Sequence, residues 1–265
     1  MFVTHSGVLP GWVISGSALA GVDRLGWVPR TQIRKGTGVE WLEFAAAMGV
    51  FMASHRIPAM LGVKGAAQRV LGAHGYTALF SVVSVLLLLW VVWAAGRAPV
   101  VPLWPQSEAA RWAVNLALPV AILLGSFGVG APNPFSFEGR EDGFDPDRPG
   151  IAGVTRQPLL WALLLWSAAH LWANGDLAHV ILFGTFALFS GLGMWIVERR
   201  RRRLIGPKAW RAQTRRAGLV PFSAFVSGSW RPQSAPAPLR LGIALLIWIV
   251  LIWAHPGVIG AWPLP

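Results

Sequence analysis

The sequence predicts an all-α, polytopic integral membrane bundle of about six transmembrane helices. Three observations predict it. Only 13% of the 265 residues are charged, against roughly 25% in an average soluble domain. Hydrophobic residues make up 54% of the chain, with 16 tryptophans. The apolar residues fall in runs close to the roughly 20 residues that a helix needs to cross a bilayer.

The elements follow in order. Residues 1–38 are mixed, Gly-rich and close on a basic stretch, Arg30 to Lys35. Their apolar part is broken by Gly and Ser, and the basic residues follow it, so they make a poor signal peptide. They read as an N-terminal extension, with Val39 or Glu40 as an alternative start, and residues 39–262 as one transmembrane domain. Spans are expected at 41–61, 76–95, 112–129, 158–173, 177–197 and 239–261. Between the fourth and fifth stand only Asn174, Gly175 and Asp176. Asn and Gly tolerate left-handed geometry at a helix end, and an Asp carboxylate caps the next helix. A tight antiparallel hairpin is expected.

Charge sets the orientation. The net charge is +12, concentrated after the fifth span: 199–203, Lys208, Arg211, Arg215, Arg216, Arg231 and Arg240. This segment reads as a cytoplasmic loop opened by a stop-transfer signal. Attraction to anionic lipid headgroups is a secondary consequence, and no nucleic-acid partner is expected. A long loop at 131–156 carries Glu138, Glu141, Asp142, Asp145 and Asp147 without calcium-loop spacing, and reads as solvated. Trp104, Trp112 and Trp230 suit an interfacial belt; Trp161, Trp166, Trp248 and Trp253 lie deeper, toward a cavity or toward lipid.

The chemistry rests on histidine, since there is no cysteine and hence no thiolate ligand. His55 in FMASHRIP and His170 in LLWSAAHLWANGD sit inside apolar segments. An imidazole buried without a partner costs a few kcal/mol (order of magnitude), so each is either a ligand or hydrogen-bonded within the helices. As ligands, His55 and His170 would share one metal or haem iron, with Arg56 free to pair with a propionate. As structural residues they would bind backbone carbonyls, with Arg56 reaching toward headgroups. On these span boundaries the two histidines stand at different depths, and a shared iron requires the windows to shift by several residues. His74, His179 and His255 read as flank or interface residues. No phosphate-cradling glycine loop, Ser-His-Asp set or HExxH motif is present, which disfavours hydrolases and nucleotidases of the soluble type.

SHRIPAMLGVKGAAQRVLGAHGYTALFSVVS, APVVPLW, NPFSF, PGIAGVTRQPLLWALLLWSAAHLWANGDLAHVILFG and LVPFSAFVSG, in this order, resemble the NnrU family of bacterial membrane proteins over roughly residues 40–262. The outline is also similar to the 15-cis-zeta-carotene isomerases, integral membrane proteins with histidine-ligated haem b. The resemblance implies a bacterial inner-membrane protein with haem b held by His55 and His170. Its role would lie in nitric oxide or nitrite metabolism linked to denitrification, or in cis-trans isomerisation of an apolar polyene. Two positions depart from the pattern: Gln157 stands where relatives carry histidine, and Ser167 where the isomerases carry cysteine. Two other classes compete. One is a non-catalytic accessory or assembly factor for respiratory enzymes. The other is a membrane methyltransferase using S-adenosylmethionine, suggested by Arg156-Gln157-Pro158 and Glu198.

Overall fold

The computed structural model describes residues 38–265 except Glu138, and of Arg56, Pro58, Ala59 and Ala73 only the backbone. The expected N-terminal extension, with His5, thus lies outside the described residues up to position 37.

The elements are helices: α1 (Val39–Met60), α2 (Val63–Arg97), α3 (Glu108–Gly128), α4 (Ile151–Val154), α5 (Pro158–Ala173), α6 (Leu177–Thr214), α7 (Ser223–Val226) and α8 (Pro238–Ile259). Extended pairing among the described residues is limited to two isolated bridges. Six helices coincide with the six expected spans. Four are long and apolar enough to cross a membrane: His74–Arg97 within α2, α3, α6 and α8. The other two fall short of that measure. At 16 residues, α5 reaches only about 24 Å against a hydrocarbon core of about 30 Å. Length is not what limits α1, which carries Glu40, Glu43, His55 and Arg56 among its apolar residues.

Helices α1, α2, α5 and α6 share the main core. Small residues on α2 (Ala94, Ala95) let α1 and α6 approach it, and Phe44, Phe51, Leu182, Phe183 and Phe186 fill the space between. Fully burying each such side chain stabilises by about 1.5–3 kcal/mol relative to water. In lipid the gain comes from dispersion and shape instead. Helix α3 packs on α5 and on the peripheral α8. Gly128 permits the first contact, since a Cβ there would lie 2.9 Å from Pro158 Cγ.

At one end of the bundle the hairpin turn is held by the α2–α3 connection. Leu103 and Trp104 donate backbone N–H bonds to the Gly175 carbonyl at 2.7 and 3.2 Å, and Leu177 donates to Val101 at 2.9 Å. Asp176 caps α6 as expected, accepting from the His179 backbone N–H. Gly175 is not left-handed, contrary to expectation. Glycine is required because a Cβ would collide with the carbonyl oxygen of Trp104.

At the other, basic end two expectations are corrected. The arginine segment is not a loop: α6 continues as a helix to Thr214, breaking only at Gly206 (φ 79°), before Pro207. Arg, Leu and Glu favour helix, and no Gly or Pro stands between Glu198 and Gly206. Nor is the acidic loop merely solvated. Glu141 pairs with Arg201 at 2.5 Å, and Asp147 pairs with Arg215 and Arg216 at 2.5 and 3.4 Å. Behind these pairs Phe135 packs edge-on against Phe144 and Trp210. Opposite charges on two segments dock one on the other, and the loop's aromatics follow. Trp230 departs from the expected interfacial belt: it is buried over Gly153, where any Cβ would strike its ring.

The docking carries a pH prediction. The hydrogen bond from Arg215, with the charges of Arg215 and Arg216, holds the Asp147 carboxyl below its ordinary value of 3.8. A lowered folded value means the contribution is complete above 3.8 and is lost as pH falls through the folded value. Asp147 is solvent-exposed, so the effect is local. Limited proteolysis of the 142–150 segment should accelerate at low pH, and Asp147→Asn should give the fast rate at neutral pH.

Candidate functional site

The histidines sit on an aromatic ladder that runs through the core. In α1, His55 stacks near Phe51 (centroids 4.5 Å) and meets Phe80 of α2 edge-on at 5.2 Å. Phe51 contacts Phe186 of α6 at 5.3 Å, and Phe186 contacts Trp166 of α5 at 5.7 Å. Trp166 lies 5.5 Å from His170. His170 in turn faces Phe183 at 5.1 Å, and His179 stacks on that same ring at 6.1 Å.

His55 and His170 are therefore linked only through intervening rings. No ring contact or hydrogen bond joins the two directly among the described residues. Their helices explain why. Glu43 of α1 pairs with Arg97 of α2 at 3.7 Å, which places the start of α1 at the hairpin end. His55 comes roughly 16 residues after Val39, about 24 Å down the axis. His170 is one turn from the end of α5, beside the hairpin. On these helices the two rings thus start from different depths. His170 and His179 instead share the ring of Phe183, and His179 Nδ1 is 2.7 Å from Asp176. The side chain of Arg56 lies outside what the structure describes.

The protonation pattern of the two rings is determined by helix geometry. His55 Nδ1 is 2.8 Å from the Phe51 carbonyl oxygen, and His170 Nδ1 is 2.8 Å from that of Trp166. A carbonyl only accepts, so Nδ1 carries the proton in both. In the neutral imidazole this leaves the Nε2 lone pair as the donor atom. A backbone carbonyl on Nδ1 is the outer partner that orients a ligating histidine and raises its basicity. The surroundings differ. His55 is exposed on the surface of the helices, whereas His170 is partly buried between Trp166, Phe183 and the α5–α6 turn. Asn174 donates to the His170 carbonyl at 2.8 Å, tying the helix end to the turn. Beneath, Ser167 is fully buried and donates back to Leu163. His255, on α8, donates from Nδ1 to Ala261 at 2.7 Å.

The imidazoles of His55 and His170 thus each present from Nε2 the kind of lone pair that a haem iron takes from a histidine ligand.

A second polar cluster lies at the basic end. Arg156 grips Glu198 through two parallel hydrogen bonds, 3.0 Å from Nε and 2.7 Å from an NH2 group, with both side chains 13% exposed. The same guanidinium donates to the Ala217 carbonyl and lies 5.3 Å from the centre of the Trp210 ring. Gln157 is fully buried and donates to Phe135 at 2.6 Å; its Oε1 has no hydrogen-bond partner among the described residues. Asn133 donates to the Arg156 carbonyl, and Thr155 and Trp161 both donate to Leu219. The sequence signal for this cluster was the Arg156-Gln157-Pro158 and Glu198 pattern. The structure brings these residues together, and it shows Arg156 and Glu198 neutralising each other. Trp161, read as a cavity or lipid residue, is a hydrogen-bond donor in this cluster, while Trp253 is 84% exposed on α8.

The family model described as NnrU protein matches residues 43–263. No curated protein and no solved structure matches the chain. The chain belongs to the NnrU family.

Proposed function

We propose that this NnrU-family membrane protein binds haem b at His170 and works in nitric oxide or nitrite-linked metabolism. The observation that supports the reading is the state of His170. Its Nδ1 is occupied by a helix carbonyl, its Nε2 is a lone-pair donor, and its surroundings are the rings of Trp166 and Phe183. Bound there, ferrous haem with one protein ligand supplies a site for a small diatomic molecule such as nitric oxide. The chain's own contribution is orientation. The Trp166 carbonyl holds the ring, Asn174 anchors the helix end, and the aromatic residues lower the local polarity. Isomerisation of an apolar polyene is the family-linked alternative on the same haem. With the basic end facing the cytoplasm, His170 lies near the opposite face of a bacterial inner membrane.

The absorption spectrum of the detergent-purified protein, oxidised and reduced, tests this. A Soret band that shifts on reduction is expected. His170→Ala should abolish it, and His55→Ala should leave it in place. Loss of the band in both variants would restore the two-histidine ligand set. A colourless wild-type protein would overturn haem binding and favour the accessory-factor reading. The methyltransferase reading has less support, because Arg156 and Glu198 bond to each other rather than lining an open cradle.

A further inference from the structure

One face of α6 carries features that a haem role does not use. A shallow, open groove lies between its side chains, lined by Trp195, Ile196, Arg199, Arg200, Arg203 and Leu204, all on this one helix. Three facts define its chemistry. Arg199, Arg200 and Arg203 are exposed, and none is paired with a carboxylate among the described residues. Their neighbour Arg201 points elsewhere, to Glu141, so the run divides between two faces. Finally, Trp195 and Ile196 are more than half exposed, and the apolar stripe continues through Leu192 and Leu188.

Depth supplies the second argument. The apolar part of α6, residues 177–197, is roughly 31 Å long, about one hydrocarbon thickness. The three arginines therefore begin where the hydrocarbon ends. The Arg199 guanidinium lies over the Trp195 ring at 5.2 Å, which holds it at that boundary. A second copy of the chain suits this face poorly. A two-fold interface would bring like-charged arginines together.

We propose that this groove is a binding site for an anionic phospholipid. Arg199, Arg200 and Arg203 hold the phosphodiester, and the acyl chains lie along Trp195, Ile196 and Leu192. The site is distinct from the histidine cluster and does not depend on haem.

The test uses the full-length protein in detergent, stripped of lipid, with binding of added phosphatidylglycerol and phosphatidylcholine read by native mass spectrometry and thermal shift. Each basic residue near an anionic group is worth about a factor of five, so the preference for phosphatidylglycerol should be on the order of 100-fold. Arg199→Gln/Arg200→Gln/Arg203→Gln should remove it. Arg202→Gln/Lys208→Gln/Arg211→Gln, with the same loss of charge elsewhere on the segment, should keep it. If the first triple variant is not recovered folded, Arg200→Gln alone should lose about five-fold. Equal losses in both triple variants would overturn the site in favour of diffuse attraction. So would a full thermal shift from inorganic phosphate alone, or a dimer that only the groove variants dissociate.

Discussion

Arg156→Leu is expected to destabilise the folded protein by about 3–5 kcal/mol, the cost of leaving a buried charge without its partner. Glu198→Leu should lose less, though still several kcal/mol (order of magnitude). The pair is two-pronged and only 13% exposed on either side, so solvent does little to screen the orphaned charge. Arg156→Leu also removes the bond to the Ala217 carbonyl and the contact with Trp210. This makes arginine the costlier partner to lose. The double variant Arg156→Leu/Glu198→Leu should recover much of the loss, because replacing both charges removes the desolvation penalty. Recovery should stop short of wild type, since Gln157 donates weakly to Glu198 at 3.4 Å and the Ala217 carbonyl loses its donor. The measurement is a double-mutant cycle on unfolding in mixed detergent. Simply additive losses would mean that the two side chains do not support each other.

The second large effect is expected from Gly175→Ala. The new Cβ would run into the Trp104 carbonyl oxygen, a main-chain atom with no rotamer to escape by. Overpacking costs about 1–3 kcal/mol and occasionally more. Here it also pries apart the hydrogen bonds from Leu103 and Trp104 to the Gly175 carbonyl. The α2–α3 connection would lift from the hairpin. The Trp104 Nε1 bond to the Trp172 carbonyl at 3.0 Å should be lost with it. Two controls separate this from a general effect of alanine. Gly184→Ala, inside α6 with no atom within 4 Å of its Cβ, should be neutral or stabilise by up to about 1 kcal/mol through helix propensity. Trp104→Ala combined with Gly175→Ala should not rescue stability, because the collision is with backbone. Thermal midpoints in one detergent check all three.

Both residues show where sequence reasoning succeeds and stops. The turn at Asn174–Asp176 was legible because its residue types speak to local geometry, and Asp176 does cap α6. The reason for glycine was not, since it depends on a chain segment some 70 positions away. Arg156 and Glu198 were visible as a pattern, yet their pairing across 42 residues required the fold. The acidic loop was read as solvated because nothing local distinguishes a free carboxylate from one docked on a distant arginine. Likewise His55 and His170 were each recognisable as unusual in an apolar setting. That each would use its own helix's carbonyl was open, and that His179 rather than His55 would share a ring with His170 was not visible.

By itself the sequence determined the helical class, the apolar spans, the hairpin and the family, because each is written in neighbouring residues or in the order of motifs. Tertiary structure alone decided which aromatic rings the histidines share, which charges neutralise each other and which arginines are left without a carboxylate partner among the described residues. Those depend on the depth and rotation of one helix against another, and a few ångströms of translation or part of a turn changes every partner.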